Sequence, residues 1–386
     1  MGQTLVIAEK PSVAGDIARA LGGFKKDGDF WVSDAMIVGS AVGHLLEIKA
    51  PEEYDVKRGR WSFANLPVLP PHFDLQPIKK SIKKFEGLEK KIRSRSVTDI
   101  INACDAGREG ELIFRYIIQA TGTKKPIRRL WLQSMTKASI QKAFTALRSD
   151  AEMKPLEAAA RSRSEADWLV GINGTRALTA FNSKDGGFFL TTVGRVQTPT
   201  LAIVVAREEE ITHFKPQNYW EVHATFGAQA GDYDSVWVDA DFKKTKGQSA
   251  ELKPERLWTA AEAQAIVAKC QGKLGIVTDH KRRATSAPPA LFDLTSLQRE
   301  ANGRFGFPAK MTLAILQRLY ERHKVLTYPR TDSRALPEDY PETMKETLSH
   351  LQKLEAYNAF AGQILMSGGV KGDNRRIFDN KKISDH

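Results

Sequence analysis

Thr4-Leu5-Val6-Ile7-Ala8 reads as a short buried strand near the start of the chain. Glu9-Lys10-Pro11-Ser12 breaks it, and Pro11 suits the first turn of a helix. Val13, Ile17 and Leu21 follow at a spacing of four until Gly22-Gly23 stops the pattern. A second strand is predicted over residues 35–42 and a third over 97–104, after which Asp105 to Glu111 opens a helix through about Ala120. The first 150 residues are therefore α/β, and Glu9 and Lys10 stand at the C-terminal end of a strand, where open α/β sheets place their sites. Lys79 to Arg95 is Lys/Arg-rich and reads as a helix with a solvated charged face.

Further along, residues 152–182 are Ala-rich and helical in pattern, and Asn218 to Phe242 alternates aromatic and β-branched residues with polar ones, as antiparallel strands do. Pro254 to Gln271 is helical again. Ala287-Pro288-Pro289 breaks the chain, and helices resume through Lys324. No internal repeat, low-complexity tract or G-x-x-x-x-G-K-[ST] phosphate loop is present, which argues against a P-loop ATPase.

A length of 386 residues exceeds one compact core and implies several domains. With 58 Lys and Arg against 46 Asp and Glu, the net charge of +12 favours a polyanionic partner without specifying one. No apolar run is long enough to span a membrane, and the first residues read neither as a signal peptide nor, with Val6 at the sixth position, as a myristoylation site. Two cysteines, Cys104 and Cys270, build neither a disulfide scaffold nor a zinc ribbon, and a reducing cytoplasm fits best.

Two stretches carry chemistry. Asp105, Glu109 and Glu111 lie at a strand end and in the helix after it, and Glu9 is the other acid at a strand end. If those strands are neighbours, Glu9, Asp105 and Glu109 converge, and hard oxygen ligands of that density suit Mg²⁺ together with water and phosphate. The alternative is a set of surface acids favoured by the helix macrodipole. The second stretch is Thr327-Tyr328-Pro329-Arg330-Thr331-Asp332-Ser333. A tyrosine that attacks a phosphodiester needs a cation for the charge that develops on phosphate, and Arg330 supplies a guanidinium that binds phosphate bidentately.

These residues make the chain resemble the type IA DNA topoisomerases, most closely the topoisomerase III branch. Motifs in the family's order run through Val6 to Ser12, Gly43 to Glu47, the Toprim signature Asp105 to Glu111, Ala166 to Asn173 with Thr175 to Ala177, Val193 to Pro199, Leu316 to Glu321 and Thr327 to Ser333. The resemblance implies that Tyr328 becomes linked to a 5′ phosphate, that Glu9 protonates the leaving 3′ oxygen, that Lys10 sits on the scissile phosphate and that Arg330 stabilises the transition state. It makes Glu9, Asp105 and Glu109 metal-site acids for Mg²⁺. Where the family commonly has a second Asp, this chain has Gly107, so one ion is more plausible than two. It places Arg163, Asp167, Arg195, Gln197 and Thr198 in the single-strand groove, with Trp131 and Trp168 as core residues. The closing Ser384-Asp385-His386 matches a family element whose histidine assists cleavage.

The implied fold is multidomain, α/β and α: a Toprim, Rossmann-like domain over 1–155, then partial gate domains. These are the first half of a helical groove domain over 156–215, the first half of a β-rich domain over 216–285 and an incomplete tyrosine domain over 286–386. The returning halves of the family's ring are missing, so the expectation is a fragment or truncated product that cuts poorly and does not relax plasmid. The implied function is Mg²⁺-dependent, ATP-independent cleavage, strand passage and religation. The substrate is single-stranded or negatively supercoiled DNA, in a cytoplasmic, nucleoid-associated setting. The alternatives are a non-catalytic single-strand-binding fragment and a Toprim nuclease without religation.

Overall fold

The computed structural model describes residues 2–54, 61–243, 252–323 and 325–383. The expected strand at the start is β1, Gln3–Ala8, and the helix led by Pro11 is α1, Pro11–Leu21. Two three-residue strands, β2 (Lys25–Asp27) and β3 (Phe30–Val32), precede β4, Met36–Ser40. A two-stranded antiparallel pair follows, β5 (Leu46–Ile48) with β6 (Leu75–Pro77). Then come α2 (Ile82–Arg93), β7 (Val97–Ala103), α3 (Arg108–Thr121), β8 (Ile127–Arg129), α4 (Lys137–Thr145) and β9 (Arg148–Ser149).

Seven strands form one sheet in the order β2-β3-β4-β1-β7-β8-β9, with β4, β1, β7 and β8 mutually parallel at its centre. Alternation along each strand separates two buried layers. Leu5, Ile7 and Ile100 pack against Phe85, Leu88 and Ile92 of α2 and Phe114 and Ile117 of α3. Val6, Ala8 and Ile101 pack on the other face against Val13 and Ile17 of α1 and Ile140 of α4. α2 thus buries one apolar stripe and leaves Lys83 and Lys90 exposed, while Lys84 and Lys91 are half-buried against Asp29 and Asp27, so the charged face is solvated only in part. β1 pairs directly with β7, Ala8 opposite Ala103, so the two strand ends that carry Glu9 and Asp105 are adjacent.

The 33-residue α5, Asp150–Asn182, begins with a Ser149/Glu152 capping box. α6, Gln197–Thr212, leads into a unit of its own over 199–287, which holds the hairpin β10 (His223–Ala228) with β11 (Gly231–Val236) and α7 (Ala260–Cys270). Residues 1–198 and 288–386 make the other compact unit. Its second part contains α8 (Leu294–Phe305), α9 (Ala309–Arg318), a π-helical turn Leu319–His323, α10 (Pro341–Leu351) and α11 (Asn358–Met366). No helix among the described residues is long and apolar enough to cross a membrane.

Two local features fix the loop after β7. Arg129, only 1% exposed, donates from Nη1 to the carbonyls of Cys104 (2.6 Å) and Asn102 (3.1 Å) and from Nη2 to that of Asp105 (2.6 Å). Gly110 in α3 lies directly against the same loop: a Cβ there would stand 2.2 Å from the Asp105 carbonyl oxygen.

Candidate active site

Glu9 follows β1, Lys10 caps α1 and Asp105 follows β7. The Lys10 ammonium donates to Asp105 Oδ2 at 2.7 Å and lies 3.5 Å from Glu9 Oε1. It also donates to the Tyr328 phenol oxygen at 3.3 Å, and its Nζ stands 4.4 Å from the centre of the Tyr328 ring. A contact across 318 positions of sequence thus joins the sheet to the tyrosine stretch. Tyr328 is held from behind by the Tyr320 ring, edge to face at 5.5 Å, and by the buried Pro329. The loop is tied back by Leu294 N–H donating to the Thr331 carbonyl (3.1 Å) and by Ser333 Oγ donating to that of Ala335 (3.2 Å).

Burial pushes the Glu9 carboxyl above the usual carboxylate range, and the neighbouring Asp105 charge adds to it against the opposing pull of Lys10. Lys10 is held above its ordinary value: burial alone would lower it, but the hydrogen bond and charge of Asp105, with Glu9, outweigh that. Burial also drives the Tyr320 phenol up to about 12, so Tyr320 stays neutral and serves as packing. The Cys104 thiol is raised by burial in the same way.

The expected convergence of three acids is realised only in part. Glu9 and Asp105 meet, whereas Glu109 is exposed on the first turn of α3 and faces His44, its Oε2 3.3 Å from His44 Nε2. Among the described residues no three His, Cys, Asp or Glu side chains gather closely enough to hold a metal ion. Glu111 is fully buried and structural: Asn102 Nδ2 donates to it at 2.9 Å and Arg115 Nε at 2.7 Å. Arg330, two residues after Tyr328, is exposed, and His386 lies outside the described residues.

A second group forms where α5 faces α3. His44, Arg108, Glu109, Arg163, Ser164 and Asp167 line a recess of about 150 Å³. Arg195 donates from Nε to both Asp167 oxygens, at 2.8 and 3.1 Å, which holds the Asp167 carboxyl below its usual range. Thr198 Oγ1 accepts from the Gly194 N–H (3.0 Å) beside the exposed Gln197 at the start of α6. Trp168 is half-buried, with its Nε1 donating to the Lys49 carbonyl at 3.1 Å.

Comparison with known proteins decides the family. A family profile described as "DNA topoisomerase" matches residues 151–386, and the Toprim domain profile matches residues 4–135. The chain belongs to the type IA DNA topoisomerase family. Its relatives include proteins named DNA topoisomerase 3 from Bacillus licheniformis and Bacillus subtilis, each 40% identical over 388 residues, and from Bacillus cereus at 41%. Each match covers all of this chain and 50% of the relative, so the chain spans about half the length of these topoisomerases. Full-length topoisomerase I from Thermotoga maritima shares the fold, with a TM-score of 0.53 and 23% identity over 92% of this chain and 53% of that one. The α/β Toprim layer and the helical regions after it are therefore those of this topoisomerase family, as the motifs implied.

Within that family, the Arg195–Asp167 pair makes a measurable expectation. If Arg195 neutralises a phosphate, Arg195→Ala should make the log–log salt dependence of single-strand binding shallower by roughly 0.7. Fluorescence anisotropy with a labelled oligonucleotide across a salt series checks this, and an unchanged slope removes Arg195 from the phosphate contacts.

Proposed function

We propose that this chain carries the strand-cleaving chemistry of a type IA topoisomerase on single-stranded DNA, with Tyr328 as nucleophile. The supporting observation is the Lys10 ammonium, which reaches Asp105, Glu9 and the Tyr328 oxygen at once. The Tyr328 oxygen attacks the scissile phosphorus, the bond from phosphorus to the 3′ oxygen breaks, and the phenol proton passes to solvent water. Glu9, whose hold on its proton is strengthened by burial and by the Asp105 charge, gives that proton to the leaving 3′ oxygen. Lys10 and Arg330 meet the charge on the phosphate oxygens. Reversal of the same steps reseals the strand, and the energy held in the phosphotyrosine makes ATP unnecessary.

Mg²⁺ is the proposed cofactor. Glu9 and Asp105 would hold it: they are adjacent oxygen donors, and Glu9 Oε2 is buried without a hydrogen-bond partner among the described residues. A bound ion would supply positive charge beside the phosphate oxygens. Strand passage, relaxation of negative supercoils and decatenation are the corresponding proposals for the activity as a whole, with Arg163, Asp167, Arg195, Gln197 and Thr198 tracking the strand.

A labelled oligonucleotide run on a denaturing gel tests the reading. A covalent protein–DNA adduct supports it. Free cut ends would indicate a nuclease, and a mobility shift without cutting would indicate a binding fragment. The pH profile adds a sign. Adduct formation should fall as pH rises through the raised Glu9 value, because the proton donor is lost there. Glu9→Gln should lower the rate and flatten that limb. Ionising Glu9 also removes stability over the window from its ordinary value up to its folded value, since the folded state holds the proton longer.

A further inference from the structure

The tyrosine stretch and the sheet layer meet around a cavity of about 470 Å³. Lys10 and Tyr328 line it, as do Ser134, Pro337 and Tyr340. Close to those last three residues lies a contact that the proposed chemistry does not use. Asp339, just before α10, accepts three hydroxyl hydrogen bonds on a single oxygen, Oδ2: from Ser134 at 2.9 Å, Thr136 at 2.7 Å and Ser139 at 2.9 Å. All three donors belong to the start of α4, where Thr136 is the N-cap and Ser139 donates its backbone N–H to Thr136 Oγ1 at 3.2 Å. The carboxylate therefore sits at the positive end of a helix that packs under the sheet. Gln133 Nε2 donates to the Ile383 carbonyl (3.2 Å) from the residue next to Ser134.

We propose that Asp339 is a positioning residue: by binding Ser134, Thr136 and Ser139 it latches the tyrosine-bearing segment to the sheet layer and sets how much of the time Tyr328 stands at Lys10. The inference rests on Tyr328 being the nucleophile. The chemistry of the contact suits a latch that must open. Three neutral hydroxyls around one exposed carboxylate give charge-assisted bonds that fix direction, yet water can replace each of them. A buried ion pair in the same place would leave unpaired charge on opening.

The test uses spin labels on the exposed positions Lys142 of α4 and Lys345 of α10 in a Cys270→Ser background, with distances read by dipolar spectroscopy in the DNA-free protein. Asp339→Ala should shift the ratio of separated to docked molecules by roughly tenfold. The Ser134→Ala/Thr136→Ala/Ser139→Ala variant should match it, and combining the two should add little further. Asp339→Asn, which keeps an acceptor oxygen, should restore part of the docked population. An unchanged distance distribution in Asp339→Ala, or full additivity with the hydroxyl variant, would overturn the latch. In parallel, adduct yield on an oligonucleotide should fall in proportion to the docked fraction read from the distances, while affinity for the strand stays constant. Shifted distances with no adduct from any form of the chain would uphold the latch and reject the nucleophile assignment instead.

Discussion

Tyr328→Phe should yield no covalent adduct with a single-stranded oligonucleotide while binding that strand as the unaltered chain does. The substitution removes one oxygen and little else. The ring keeps its edge-to-face contact with Tyr320 and stays 4.4 Å from Lys10 Nζ, so cation–π attraction and packing survive. Burial pushes the neighbouring Tyr320 phenol up to about 12, which opposes its acting as a replacement nucleophile. Denaturing electrophoresis measures the adduct and anisotropy the binding. An adduct from the Phe chain would mean that another side chain attacks.

Lys10→Met should be the next most damaging change. It takes away the only cation that touches both Glu9 and Asp105 among the described residues and leaves two adjacent carboxylates with no charge between them. Glu9 should then hold its proton to still higher pH, and the two acids should titrate as a pair. Cleavage should fall on the order of 10²–10³-fold, the range typical for loss of one donor to a developing oxyanion. Single-turnover cleavage measures the loss. A fall of less than tenfold would mean that Lys10 holds the loop in place without touching the phosphate.

The α/β core was legible because its strands are unbroken buried runs punctuated by Gly and Pro. β1, β7 and α1 appear within a residue or two of their expected limits, and α3 begins at Arg108, inside the Asp105 to Glu111 stretch expected to open it. The pairing of β1 with β7 was a condition in the sequence and a fact only in the structure. β2, β3, β8 and β9 are two or three residues long, too short for any period to register. α6 escaped notice because Leu201, Ile203, Val204 and Val205 trace no single apolar face and remain exposed.

At the site, the acids and the tyrosine could be picked out by residue type and position, but the contact between Lys10 and Tyr328 came only through family likeness. Glu109 was expected beside Glu9 and Asp105, but an acid on the first helical turn can face either neighbour, and here it lies 3.3 Å from His44. Arg129 and Asp339 were missed altogether. An arginine inside a short strand and an aspartate in a turn carry no signal until the carbonyls and hydroxyls they bind are seen in space.

Gly110 sets a boundary on how this catalytic layer can vary. Asp105 is located by its own main chain, which lies where any side chain at Gly110 would have to go. The buried Arg129 guanidinium holds the same carbonyl, and neither contact involves position 107, so the absence of an acid at Gly107 leaves both in place. Inventory around the loop is negotiable, whereas the seat itself is not. Even an alanine at Gly110 would force the strand end and the helix apart.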